Sequence, residues 1–239
     1  MTRAQDVEQL ARDRVRSDEA GISSRRTSVT LSQTWQEFLR HPSPWMLGTA
    51  LVGSVVARGF VGDWRLTDLI VPIALVAMFP LIEWVLHVCV LHWRPRRLGP
   101  VELDPLLARK HREHHADPRD IALVFVPWQA LAWLLPVYVV VAVLAFPRLG
   151  LGLTFLVTVA ALAFVYEWMH YLMHSDYRPR SRAYRAVWRN HRLHHYKNEH
   201  YWFTVTTAGN VDRILGTYPD PGEVDTSPTV RVLHAREPA

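Results

Sequence analysis

Between Asp120 and Arg148 the chain runs for 27 residues without a formally charged side chain, and between Arg148 and Glu167 for another 18. From Leu69 to Trp93 the only formal charge is Glu83. A helix of about 20 apolar residues crosses the hydrocarbon core of a bilayer, and inside lipid it must satisfy its own backbone N–H and C=O groups. These runs predict an all-α integral membrane protein and exclude a soluble globular fold and a disordered chain. Four spans are read. Residues 45–61 form the weakest, because they contain Arg58; residues 66–92 form the second. Residues 121–146 hold Pro127 and Pro136, which predict a kink or a split into two shorter helices, and residues 149–174 form the fourth. The chain divides into a polar tail (1–44), a membrane domain (45–219) and a C-terminal tail (220–239). The first tail ends in a short amphipathic piece around Trp35, Phe38 and Leu39.

Charge gives these spans a direction. Of 27 Lys and Arg residues, 7 lie in residues 1–40, 7 in residues 94–119 and 10 in residues 175–239. Arg58, Arg65 and Arg148 are left for the short connections on the other side. The positive-inside rule then predicts a multi-pass protein with both termini and the middle loop in the cytoplasm. The basic excess reads as a topology signal and an attraction to anionic headgroups, with no nucleic-acid partner implied. Cys89 is the single cysteine, which excludes a disulfide framework and any cysteine-based zinc or iron–sulfur site.

Ten of the 13 histidines fall into four boxes. His87 and His92 form HxxxxH; His111, His114 and His115 form HxxHH; His170 and His174 form HxxxH; His191, His194 and His195 form a second HxxHH. At about 100° per residue, three imidazoles of an HxxHH box share one helix face, as do the two of HxxxH. HxxxxH rotates by about 140° and converges only if its helix loosens, which Trp93-Arg94-Pro95 would permit. Asp104-Pro105 reads as an N-cap and first helical residue ahead of the second box, and Ser181 as the cap ahead of the fourth. The boxes all fall on the predicted cytosolic side, so the ten are read as the ligands of a site for two metal ions held under a cytosolic helical cap. Imidazole suits iron, copper, zinc and nickel. Glu83 and Glu167 share helix faces with these ligands and are expected to hold a ring N–H of a neighbouring imidazole. Direct ligation, or pairing with an Arg, are the other readings of these two carboxylates. His200 reads as structural, and His41 and His234 as surface residues.

The stretches EWVLHVCVLH, HREHHADPRDIALVFVP, YEWMHYLMH and NHRLHHYKNEHYWFTVTTAGNVDRILGT, within residues 79–218, resemble the membrane fatty acid hydroxylase superfamily, which also contains sterol desaturases. The strongest likeness is to fatty acid 2-hydroxylases, including the HxxxH form of the third box. The resemblance implies a helical membrane fold and a di-iron centre on the ten box histidines that uses O2 to hydroxylate a fatty acyl chain, at or near C2. Zinc could occupy the same imidazoles in purified protein. The sequence departs from the pattern in His200-Tyr201-Trp202-Phe203, aromatic where the 2-hydroxylases tend to glycine, and residues 1–40 are too short for the fused cytochrome b5 domain of some relatives.

C–H hydroxylation consumes two electrons, and the sequence carries no flavin, nucleotide or haem motif. A separate donor such as a ferredoxin or a cytochrome b5-like protein is therefore expected, docking on Arg94, Arg96, Arg97, Arg109 and Lys110. The lipid substrate would lie among the spans, with Trp128, Trp133, Trp168 and Trp202 as candidates for its apolar lining or for an interfacial belt. The alternatives are a desaturase or a sterol or carotenoid hydroxylase of the same superfamily and, from another class, a membrane metal transporter or metal-binding protein.

Overall fold

The computed structural model describes residues 29–178 and 180–234. Nine helices follow in chain order among these residues: α1 (Leu31–Phe38), α2 (Pro42–Val61), α3 (Ile70–Leu86), α4 (Leu106–Ala116), α5 (Ile121–Val124), α6 (Trp128–Leu144), α7 (Leu149–His174), α8 (Arg182–Tyr196) and α9 (Asn210–Ile214). A short 3₁₀ turn (Leu66–Leu69) leads into α3, and a π turn (His87–Leu91) ends it. The only strands among the described residues are β1 (Arg96–Leu98) and β2 (Val101–Leu103), an antiparallel hairpin.

Four helical segments are long and apolar enough to cross a bilayer: Pro42–Val61, Leu66–Leu91, Ile121–Leu144 and Leu149–His174. The fold is thus an all-α integral membrane bundle, with the spans where the charge-free runs predict them. Its outer surface is an apolar skin, including Phe60, Leu66, Ile73, Val76, Trp133 and Leu144. Trp128 and Trp133 belong to this skin, which makes them lipid-facing and removes them from any internal lining. The third span breaks at Phe125-Val126-Pro127, where the ring of Pro127 ends α5, whereas Pro136 is accommodated inside α6.

The central helix is α7, packed against α2, α3 and α6. It comes close to α6 because Gly152 has no side chain; a Cβ there would sit 1.7 Å from the Ala142 carbonyl oxygen. At one end of the bundle Arg58, buried in α2, donates to Asp68 at 2.9 Å and to Thr154 at 2.9 Å. It also donates to the Gly62 carbonyl and lies 3.7 Å from the centre of the Trp64 ring. Arg148 joins by pairing with Asp63 and Asp68. The three basic residues assigned to the short connections thus lie near one end, and the charge that weakens the first span is neutralised there by Asp68.

The segment ahead of the first span packs onto the bundle. Helix α1 starts on a capping box between Thr30 and Gln33, and its Phe38 is fully buried against Val124, Phe125 and Tyr171. Trp168 packs edge-on to Phe38, 4.9 Å between ring centres. The α2 helix begins at Pro42, so the part of the N-terminal tail from Leu31 onward belongs to the packed body; residues 1–28 lie outside the described residues. His41 stacks on Phe125 at 3.9 Å, half-buried instead of at the surface. Substitution of Gly152 by Val is expected to destabilise the bundle by at least about 1–3 kcal/mol through the clash with the Ala142 carbonyl. Gly53, with nothing within 4 Å of a Cβ, is the control. Thermal unfolding in detergent should show a lower Tm for Gly152→Val and no loss for Gly53→Ala.

Candidate metal centre

The spacing of each box becomes geometry through its helix. His87 and His92 are five residues apart, and the His92 N–H donates to the His87 carbonyl at 3.0 Å. That i→i+5 bond closes one turn of π helix, which returns residue 92 to the face of residue 87. Their ring centres lie 5.1 Å apart. The expected loosening therefore occurs inside the box, ahead of Trp93-Arg94-Pro95. For the second box the expected cap shifts by one residue. Helix α4 begins at Leu106, and Asp104 receives both oxygens' worth of contact from Arg112, at 2.6 Å each. Arg112 reaches the Trp93 carbonyl as well, at 3.3 Å, tying α4 to the end of the second span. Ser181 caps α8 as expected, its hydroxyl accepting from the Tyr184 N–H at 3.1 Å.

The ten histidines assemble into two groups of five. His87, His92, His111, His115 and His194 form one, and His114, His170, His174, His191 and His195 form the other, each with its ligand atoms within 4.8 Å of one another. Each HxxHH box is divided between the groups. The i and i+4 imidazoles of α4 face the first group while i+3 faces the second, and α8 does the reverse. The groups adjoin, with the rings of His115 and His195 4.3 Å apart. Each group contains only imidazoles.

The proton positions follow from the ring partners. His87 Nδ1 lies 2.6 Å from the Phe203 carbonyl, His115 Nδ1 3.1 Å from Val230, His194 Nδ1 2.8 Å from Tyr201 and His174 Nδ1 2.8 Å from Pro118. A carbonyl only accepts, so each Nδ1 carries the proton and each Nε2 presents a bare lone pair. In the first group, His87 and His115 each aim Nε2 at His111 Nε2 from 3.2 Å. One proton on His111 cannot serve both. His92 Nε2, His194 Nε2 and both nitrogens of His114 are buried without any hydrogen-bond partner. In the second group His174 and His195 likewise converge on His191 Nε2, at 2.7 and 3.1 Å. A buried polar atom without a partner costs about 1–3 kcal/mol, and lone pairs that face one another repel. A cation in each group satisfies them together, so this donor set fits two metal ions.

Glu83 and Glu167 are buried, yet among the described residues neither hydrogen-bonds to a histidine. Glu83 accepts from the N–H groups of Val205 (2.5 Å) and Thr206 (3.0 Å) and from the Thr206 hydroxyl (2.7 Å). Glu167 accepts from the Ser43 hydroxyl and from Val126 N–H, 3.2 Å to its nearer oxygen. Freed backbone donors at chain breaks compete for these carboxylates, and in a low dielectric an unpaired N–H is costly. The effect on the ligands is indirect. Glu83 anchors the loop whose Phe203 carbonyl orients His87, and Glu167 anchors the break at Val126 ahead of α6.

Asp212 is fully buried and has the same role, taking Phe203 N–H at 2.9 Å, Thr204 N–H at 3.0 Å and the Thr217 hydroxyl at 2.8 Å. Sequence reasoning passed over it, although an acid next to Val211 in the stretch after the last box was a visible signal. Trp202 is fully buried, and Trp168 is half-buried against the cluster around Phe38. His200 is exposed. His234 is half-buried, its Nε2 donating to the His92 carbonyl at 2.9 Å, which takes it off the surface. A surface cleft walled by Gln33, Thr34, Glu37, Pro118 and Tyr196 reaches His174 and His195.

Burial first, and neighbouring imidazoles second, hold His92, His111, His114, His191 and His195 well below the ordinary imidazole pKa. His115 and His194 are lowered by the same two causes against the raising effect of their carbonyl partners. All seven are neutral at physiological pH. In the unfolded chain they take up protons near pH 6.5, in the folded chain only far below. The unfolded state thus binds more protons as pH falls, and folding stability is lost below about pH 6.5. Metal-free protein should show a Tm that drops steadily from about pH 6.5 to about pH 5; a flat profile would contradict the buried neutral cluster.

The fatty acid hydroxylase family model matches residues 72–217, which contain all ten box histidines, Glu83, Glu167 and Asp212. No curated protein and no solved structure matches the chain. With more than half of its 239 residues matched, and with two all-imidazole groups at one end of a four-span bundle, the chain belongs to the fatty acid hydroxylase family, within the membrane fatty acid hydroxylase superfamily.

Proposed function

We propose that the protein is an O2-dependent di-iron oxidoreductase that inserts a hydroxyl into a fatty acyl chain at or near C2. The observation that carries this reading is the pair of adjoining five-imidazole groups at the end of lipid-embedded helices, in a member of this family. Carriers hold their ions near the bilayer midplane, whereas these imidazoles gather where α3 and α7 leave the apolar region, which favours an enzyme.

The reaction balances as R–H plus O2, two electrons and two protons giving R–OH plus water. Bound iron supplies the one-electron redox chemistry that breaking an unactivated C–H bond requires. The chain contributes the surroundings. Seven neutral imidazoles outside the spans and three at span ends offer ligand lone pairs, and the backbone carbonyls of Phe203, Tyr201, Val230 and Pro118 hold four of them in place. Full burial of His115, His194 and His195 keeps bulk water off the ligand atoms. A site at the end of the spans meets the carbons near a lipid headgroup before those near its methyl end, which supports C2.

The electrons come from a separate ferredoxin or cytochrome b5-like donor with an acidic face. Arg94, Arg96, Arg97 and Arg109 are exposed beside Lys110 around the hairpin and α4, close to the first group, and support a basic docking site. We further propose that this end of the bundle faces the cytoplasm, on the strength of the basic residues gathered in its segments. A reporter inserted at Arg148 should therefore lie on the opposite side of the membrane from one fused at the C-terminus. For the reaction itself, lipids from a heterologous host should gain one oxygen at C2, with the gain abolished by His195→Ala or His111→Ala. A new double bond would make the protein a desaturase, and oxygen far along the chain would overturn C2.

A further inference from the structure

Residues 227–234 lie beyond the stretch matched by the family, yet they close over the first imidazole group. The Val230 carbonyl accepts from His115 Nδ1 at 3.1 Å, and His234 Nε2 donates to the His92 carbonyl at 2.9 Å. Both contacts go to histidines of the same group of five. Val230 and Leu233 are buried, so the segment is packed against the protein and does not trail from it.

Its anchor is a carboxylate four residues past His195. Glu199, 2% exposed, accepts on Oε1 from the Ser227 hydroxyl at 3.0 Å and the Thr229 hydroxyl at 2.5 Å. Ser227 N–H adds a bond to the Lys197 carbonyl at 2.8 Å. A carboxylate so far from water is retained only where donors meet it, and these two hydroxyls come from the segment that carries Val230.

We infer that residues 227–234 are a strap belonging to the first metal site, with Glu199 as the positioning residue that holds it. Through Glu199, Ser227 and Thr229 the strap places the Val230 carbonyl, and that carbonyl fixes which nitrogen of His115 is free to bind metal. Without it His115 loses its ring orientation, and such losses weaken metal binding by about 10–100-fold. The contacts run to the first group, so the strap secures one metal and leaves the other. This inference rests on the two-metal reading of the site.

The test uses the full chain in detergent, the variants Glu199→Ala and Glu199→Gln, and a chain ending at Thr226. Each is loaded with cobalt(II), dialysed against a competing chelator, and read by metal content and visible absorption. Wild type should keep two cobalt ions per chain, while Glu199→Ala and the shortened chain keep one and lose part of the absorption. Glu199→Gln retains an oxygen acceptor for both hydroxyls and should keep two. Should the shortened chain fail to fold, the contrast between Ala and Gln at position 199 decides. Two cobalt ions with an unchanged spectrum in Glu199→Ala, or loss of both together, would overturn the strap. A wild type that holds one cobalt, lost in Glu199→Ala, would keep the strap and overturn the two-metal reading; one held equally by both would overturn each.

Discussion

The site depends on a bond between an imidazole N–H and a backbone carbonyl, made four times over through Nδ1. With Phe203, Tyr201, Val230 and Pro118 accepting from the Nδ1–H groups of His87, His194, His115 and His174, the opposite nitrogens are committed as lone pairs pointing into two small volumes. Neutral imidazoles facing one another in this way repel and leave buried acceptors unpaired. A cation in each group would relieve both costs. Metal binding would then be coupled to folding, the energy of the imidazole set being recovered on loading.

The carbonyls sit in loops, and loops need anchors to act as fixed groups. Each of the principal loops is tied by a buried carboxylate: residues 203–206 by Glu83 and Asp212, the break at Val126 by Glu167, and residues 227–229 by Glu199. The order is carboxylate, loop, carbonyl, imidazole. It makes use of the broken third span, because the backbone donor released ahead of Pro127 would be costly in lipid if Glu167 did not accept from it. Helix α7 unites both tasks, approaching α6 tightly at Gly152 and presenting Glu167, His170 and His174 where it ends.

Much of this was legible in the chain. The spans followed from charge-free runs, since lipid tolerates few charges, and the boxes from helical periodicity, which puts i, i+3 and i+4 on one face. The five-residue spacing of His87 and His92 already demanded a looser helix, and the π turn supplies it. What escaped depended on contacts distant in sequence. The division of each HxxHH box between two groups is set by how α4 and α8 are rotated against each other. Glu83 and Glu167 share helix faces with ligands, but face alone does not reveal the unpaired N–H groups of Val205 and Val126 that capture them. The bond from His115 to Val230 joins residues more than a hundred positions apart, and no local pattern announces it.

The central claim is that two metal ions sit in separate all-imidazole pockets. Element-specific anomalous scattering from the metal-loaded protein, in crystals grown from lipid or detergent, tests it directly. The account predicts two peaks, one enclosed by His87, His92, His111, His115 and His194 and the other by His114, His170, His174, His191 and His195. A single peak, or a peak coordinated by Glu83 or Glu167 in place of an imidazole, would contradict it.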